Sequence, residues 1–257
     1  MSNKHAVIPD CQVSPHVPTS HLTWAAQYIA EKKPNTIVCL GDFADMESLS
    51  SYDVGKKCFE GRRYTEDIRA AKEAMFKFMQ PIRREQDRLR RNKEKQWNPK
   101  MVMLLGNHEN RIERAINNDS KLDGLISTKD LGYEEFGWTV VPYLQVCILD
   151  GIAYSHYFVS GIMGRPVTSA RMLLTKHHMS CVAGHQQGRD IAYGKLANGK
   201  SITGIISGSF YQHDESYLNA QTNVCWHGIW FLHDVQDGSF DELPLSIEYL
   251  RRKYGNV

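Results

Sequence analysis

Short apolar runs separated by polar turns set the pattern of this chain. Residues 6–8, 36–40, 101–105 and 181–183 are brief, rich in Val, Ile, Leu or Met, and each closes at a Pro or Gly followed by polar side chains. Runs of that length, too short for a helix, predict buried strands. Between the first two, Leu22, Ala25, Ala26 and Ile29 recur at helical spacing, with Ser20 as the predicted N-cap. A β-α-β opening of this kind favours a parallel or mixed sheet. A second helix is predicted from about Thr65, where Ile68, Ala71, Met75, Phe78, Ile82 and Leu89 keep one stripe apolar. Pro81 is expected to kink or split it. Residues 146–149, the dipeptide Asp150-Gly151 and residues 152–155 read as a β-hairpin, and further strands are predicted at 203–207, 229–235 and 245–249. No Pro/Ser/Gly-rich linker interrupts the chain, so residues 1–257 are expected to form one domain of two stacked sheets with helices outside and a helical basic insertion at about 60–98.

Composition narrows the class without naming a function. The chain is 42% hydrophobic and 23% charged, which excludes wholesale disorder and a collagen-like repeat. No run of eighteen apolar residues suggests a membrane span, and Lys4-His5 passes straight into the first apolar run without a secretory leader, so a cytoplasmic protein is expected. Cys11, Cys39, Cys58, Cys147, Cys181 and Cys225 are scattered without CxxC spacing and read as reduced thiols. The net charge of +2 exerts no global pull on polyanions. Locally, Arg83, Arg84, Arg88, Arg90, Arg91, Lys93 and Lys95 crowd together against Glu85, Asp87 and Glu94. That stretch is either the solvated face of a helix or a steering patch for DNA or RNA, with Trp97 beside it to pack or to stack on a base.

Polar residues able to bind metal follow strand after strand: Asp10 and Gln12, then Asp42 and Asp45, then Asn107 and His108, then His185 and Gln187. In open α/β sheets the loops beyond the carboxyl ends of the strands converge, so these residues are expected to meet. Residues two apart in extended chain point the same way, which lets Asp10 with Gln12, and His185 with Gln187, face one site. Each Asp taken singly is also an ordinary turn or cap residue.

The segments Asp10-Cys11-Gln12, Gly41-Asp42-Phe43-Ala44-Asp45, Gly106-Asn107-His108-Glu109 and Gly184-His185-Gln186-Gln187 resemble, in that order, the signature blocks of the calcineurin-like metallophosphoesterases. His156, in Tyr154-Ser155-His156, stands at a strand end where the pattern wants a histidine, with His177, His178 and His213 as alternatives. The resemblance spans residues 10 to 187. It implies a four-layer α/β/β/α sandwich of two mixed sheets and a centre of two divalent metal ions. Asp42 would bridge the ions. Asp10, Gln12 and Gln187 would complete one site, and Asn107, His156 and His185 the other. His108 would act as general acid, oriented by Asp45, while an activated water attacks a phosphoester in line. The family normally carries DxH and GHxH where this chain has Gln12 and Gln187. Both changes give one ion an all-oxygen site, suiting Mn²⁺ or Mg²⁺ better than Zn²⁺, so Mn²⁺ is the leading candidate for the centre, with Mg²⁺, Ni²⁺, Zn²⁺ and Fe as alternatives. Arg111, one turn from His108, is a candidate for gripping a substrate phosphate or a plain helix-surface residue. His16, His21, His227 and His233 are expected to be structural or solvated. The activity implied is phosphodiester hydrolysis, including nuclease action. The alternatives are a phosphomonoesterase of nucleotides or phosphoproteins and a catalytically decayed nucleic-acid-binding protein of the same fold. Oligomeric state is not legible.

Overall fold

The computed structural model describes residues 3–213 and 225–255. In chain order the elements are β1 (Asn3–Ile8), α1 (Ser20–Lys32), β2 (Thr36–Cys39), α2 (Tyr64–Arg91), β3 (Lys100–Leu104), α3 (Arg111–Asn118), β4 (Thr139–Val141), β5 (Cys147–Leu149), β6 (Ile152–Ser155), β7 (Val159–Ser160), β8 (Arg165–Pro166), α4 (Ala170–His177), β9 (Ser180–Ala183), β10 (Arg189–Lys195), β11 (Ser201–Ser207), β12 (Gly228–Gln236), β13 (Ser239–Ser246) and α5 (Ile247–Tyr254). One sheet runs β13-β12-β1-β2-β3-β4 and the other β10-β11-β9-β6-β5. Neighbours from β1 to β4 are parallel, as are β11, β9 and β6. Antiparallel strands flank both parallel groups.

The period of two in each strand sorts its side chains into two cores. Val7, Val38, Leu40, Val102 and Leu104 point from the first sheet toward Ile152, Tyr154, Val182 and Ile205 of the second, and this set fills the space between the sheets. The alternate residues Ala6, Ile8, Ile37, Cys39 and Met103 face outward and are covered by Leu22, Ala26 and Ile29 of α1, by Met75, Phe78 and Ile82 of α2, and by Leu250 of α5. On the far side, Leu173 of α4 covers Ala153, Cys181, Ala183 and Ile206. The result is an α/β/β/α sandwich of two mixed sheets. His5, buried in β1, bridges the layers, its ring nitrogens lying 2.7 Å from Tyr154 Oη and 2.8 Å from Asp150 Oδ2. The hairpin between β5 and β6 turns at Asp150 (φ 47°) and Gly151 (φ 81°), both left-handed as a two-residue type I′ turn demands.

Three local expectations are corrected. Ser20 is not the cap of α1: its hydroxyl donates to Gln212 Oε1 at 2.8 Å, and Thr19 stands at the cap position without a side-chain bond. Pro81 does not split α2, which runs unbroken to Arg91. The carbonyl that loses its partner belongs to exposed Lys77, where water can satisfy it. The expected strand at 245–249 ends at Ser246, whose hydroxyl accepts from Tyr249 N at 3.2 Å and starts α5. Leu245, Ile247 and Tyr249 alternate like a strand, but Ile247 and Leu250, three apart, are the pair that buries. Among the described residues no helix is long and apolar enough to cross a membrane.

The basic stretch at the end of α2 is partly ion-paired. Arg88 pairs with Glu85 and Glu94, Arg90 pairs with Asp87, and Arg83 lies over the Phe136 ring. Trp97 is buried and donates from Nε1 to the Pro34 carbonyl at 2.7 Å, so its ring is packing and not a free stacking surface. Glu85 also meets Lys33. These contacts place the stretch beside the start of β2, at the opposite end of the sheet from the residues that follow it.

His21, in α1, is buried to 1% exposure against Phe210, and burial pushes its imidazole down to about 4. Because the unfolded chain binds this proton near pH 6.5 and the folded chain does not, stability should fall as pH drops from about 6.5 toward 4. Between pH 7 and pH 4.5, urea unfolding of His21→Phe should lose about 2–3 kcal/mol less than the wild type loses. Equal losses would show that His21 does not carry the effect.

Candidate metal centre

Five parallel strands deliver polar side chains to one place just past their carboxyl ends. Asp10 follows β1, Asp42 follows β2, Asn107 and His108 follow β3, His156 follows β6, and His185 follows β9. Asp10, Asp42 and His156 are almost wholly buried. The loops are tied by backbone bonds: Cys11 N and Gln12 N both donate to the Asp42 carbonyl, at 2.9 and 2.8 Å, and Gly184 N donates to the His156 carbonyl at 2.9 Å. Gln12, Asp42 and His185 adopt left-handed backbone, at φ 45°, 49° and 68°. Such a conformation costs a residue with a side chain of order 1 kcal/mol or more, and it persists where surrounding contacts fix it. Two glycines permit the approach of the chains: a Cβ on Gly106 would lie 2.1 Å from Asp42 Oδ1, and one on Gly184 would lie 2.6 Å from Asp10 Oδ1.

At the centre, Asn107 Oδ1 lies 2.8 Å from His156 Nε2 and 2.7 Å from His185 Nδ1. His156 donates from Nδ1 to the Leu40 carbonyl at 2.9 Å, which leaves Nε2 facing Asn107 and, at 3.4 Å, Asp42 Oδ2. Asp42, His156 and His185 each offer a ligand atom within 4.8 Å of the others. Burial opposes the charge on His156, but Asp42 beside it lifts the imidazole to about 9. Burial and the neighbouring His156 push His185 down to about 4, keeping it neutral. The pocket thus draws a proton onto His156, a single positive charge where a divalent ion would supply two.

Asp10 is pushed up to about 7 by burial and by Asp42. Its Oδ1 accepts from His185 N at 3.0 Å, and its Oδ2 is buried without a hydrogen-bond partner. A buried carboxylate oxygen left without a donor, beside a second buried carboxylate, fits a cation. The donor set of carboxylate, amide oxygen and imidazole is one that Mn²⁺, Zn²⁺ or Fe accepts. Gln12 is buried next to Asp42, and Gln187 accepts from Tyr211 Oη at 3.0 Å, which leaves its carbonyl a second lone pair.

His108 stands beside this cluster. Its backbone N donates to Asp42 Oδ1 at 2.8 Å, its Nδ1 is hydrogen-bonded to Asp45 Oδ1, and its Nε2 lies 3.7 Å from Asp42 Oδ2. Burial works against its charge, but Asp42 and Asp45 more than offset this and raise its pKa above the ordinary histidine value. Burial would raise Asp45, and the bond to His108 reverses the direction, so Asp45 stays ionised. Arg111 does not present an open fork to a ligand. Its Nη1 donates to the Asp45 carbonyl at 2.7 Å and to Asp45 Oδ1 at 3.2 Å, and its Nη2 lies 3.3 Å from His108 Nε2. It clamps the Asp45 loop. Of the alternatives to His156, His177 packs on Phe158, His178 follows the end of α4, and His213 stacks on Tyr211, so of these four candidates His156 is the one set against Asp42 and Asn107.

Glu109 was given no role by the sequence pattern, and it proves to be the buried strut of the site. Its Oε2 accepts from Asp42 N at 2.9 Å and Gly106 N at 2.8 Å, and its Oε1 from Ala44 N at 3.0 Å and Tyr133 Oη at 3.2 Å. One carboxylate therefore locks the β2 loop to the β3 loop. A glutamate directly after Gly106-Asn107-His108 was visible, but its inward direction was not.

Compared with known proteins, the sequence matches no family model and no curated protein. One solved structure aligns over 96% of this chain and 100% of its own length at 12% identity, with a TM-score of 0.46, a likeness too slight to carry an argument.

Glu109→Gln would turn an NH₂ group toward backbone donors in a fully buried position. Loss of a satisfied buried acceptor of this kind should cost about 2–4 kcal/mol, read as a lower Tm, whereas the exposed Glu113→Gln should stay within about 0.5 kcal/mol. Equal Tm values for the two variants would remove Glu109 from its structural role.

Proposed function

We propose that this chain is a divalent-metal-dependent phosphoester hydrolase, with phosphodiesters as its substrates. The observation that carries the reading is the cluster of buried Asp10, Asp42 and His156 with half-buried Asn107 and His185, with the His108–Asp45 pair held at its edge. Asp42, Asn107, His156 and His185 would hold one ion. Asp10, Gln12 and Gln187, sharing Asp42, would hold a second, oxygen-rich one suited to Mn²⁺ or Mg²⁺. When bound, such ions neutralise charge on phosphoryl oxygens and make water a nucleophile near neutral pH.

The protein's own part is proton delivery. Burial opposes the charge on His108, but Asp42 and Asp45 outweigh it and raise the imidazole above the ordinary histidine value, which favours the protonated form that an acid needs. As the bond from phosphorus to the leaving oxygen breaks, the electron pair goes with the oxygen and the proton on His108 Nε2 follows it. Asp45 holds Nδ1 throughout, and Arg111 holds Asp45. The neutral imidazole left behind can accept from Arg111 Nη2. A diester supports this reading better than a monoester. The extra negative charge of a monoester needs a further cation at the reacting phosphate, and the nearest guanidinium is engaged with Asp45.

The test is hydrolysis of bis(p-nitrophenyl) phosphate by purified protein with Mn²⁺, Mg²⁺, Ni²⁺ or Zn²⁺. Turnover is expected, highest with Mn²⁺. His108→Asn should retain Mn²⁺ binding and lose roughly 10²–10⁴-fold in kcat. Absence of turnover with every ion, or full turnover by His108→Asn, would contradict the proposal.

A further inference from the structure

A cavity opens beside the metal centre, past the carboxyl ends of β3 and β4. It measures about 480 Å³, within the roughly 300–1,000 Å³ of small-molecule sites. Two of its lining residues bracket the Asn107-His108 pair, Leu105 two positions before Asn107 and Asn110 two after His108. Tyr143, a third, reaches the centre through space. Its ring centroid lies 6.4 Å from that of His156, and its hydroxyl is 2.8 Å from that of Tyr157, whose ring packs on His185 with centroids 4.8 Å apart. Tyr133 ties another wall to the strut of the site, donating from Oη to Glu109 Oε1 at 3.2 Å.

The lining is graded from apolar to charged. Leu105 and Tyr133 are buried, Asn110, Thr128, Val140 and Tyr143 are half-buried, and Glu113, Glu134 and Lys129 are exposed at the rim. Two carboxylates against one ammonium make the mouth unfavourable to a second phosphate. An apolar interior with two phenol rings suits a flat, uncharged ring system. The Asn110 amide and the Thr128 hydroxyl, set part-way in, suit a ring whose edge carries hydrogen-bonding groups. Asn110 stands at the start of α3 without a side-chain capping bond, so the helix does not engage its amide.

We infer that this cavity receives the base of a nucleoside joined to the reacting phosphate, with Tyr133 and Tyr143 as its aromatic walls and Asn110 as the reader of the ring edge. The inference rests on the hydrolase reading above and deepens it: the substrate class becomes diesters of nucleosides, recognised through the base and not through additional phosphates.

Calorimetric titration in excess Mn²⁺ compares adenosine 5′-monophosphate and uridine 5′-monophosphate with ribose 5-phosphate, which lacks the base. At least one nucleotide should bind about tenfold more tightly than ribose 5-phosphate, within the range that one base against aromatic walls provides. Val140→Trp, which fills the cavity, should bring this ratio to about one. Asn110→Ala, which loses no capping bond, should lower it about threefold, and it carries the test if the Val140 variant does not fold. Nucleotides that bind no better than ribose 5-phosphate, or a ratio that Asn110→Ala and folded Val140→Trp leave unaltered, would overturn the base site. The hydrolase reading would still stand if the wild type turned over bis(p-nitrophenyl) phosphate. Absence of that turnover with every ion would overturn the hydrolase reading, and with it the assignment of the cavity to a substrate.

Discussion

Two carboxylates buried within reach of one another's charge are the constraint on which the rest depends. Asp10 and Asp42 are both out of water, and an isolated buried anion is far too costly to persist uncompensated. The protein answers with imidazoles. His108 and His156 lie against Asp42, whose charge favours their protonated forms, and in return they hold Asp42 below the ordinary carboxylate range despite its burial. Asp10, lacking such a neighbour on Oδ2, is the carboxylate that rises. The same imbalance that raises Asp10 leaves the pocket with donors that could hold a cation.

Such an arrangement needs a rigid frame, and the frame is built from parallel strands. Because β1, β2 and β3 run parallel in one sheet and β6 and β9 in the other, their carboxyl ends open on the same side. Glu109 then fixes two of those loops together from beneath, and Arg111 fixes a third contact from the side. The glycines at 106 and 184 remove the atoms that would otherwise collide with Asp42 and Asp10. Geometry here comes from exclusion of side chains as much as from bonds.

Much of this was legible in the sequence, for identifiable reasons. Strands with both faces buried read as continuous apolar runs, and each run ended at Gly or Pro, so residues 6–8, 36–40, 101–105 and 181–183 all fall in strands or at their ends. The hairpin at Asp150-Gly151 was marked by turn chemistry that few other contexts require. What failed was information that lies outside the local window. Ser20 looked like a cap because Gln212, 192 positions away, was invisible as its partner. Leu245 and Ile247 looked like one strand because the period of two cannot reveal that the chain changes to a period of 3.6 between them. Pro81 signalled a kink or a split, and α2 is not split, since tertiary packing of its apolar stripe holds both sides of the proline in one helix. In the candidate site, the metal-competent residues could be named because each follows a strand. The inward strut Glu109 and the engagement of Arg111 with Asp45 could not, since neither direction is encoded by spacing.

The central claim is that the buried acceptors at the strand ends hold divalent cations. Anomalous diffraction at the manganese edge, from crystals grown with excess Mn²⁺, tests it most directly. The expected result is a peak within coordinating distance of Asp42, Asn107, His156 and His185, with a second, weaker peak toward Asp10. A fully ordered pocket without any anomalous signal would contradict the account.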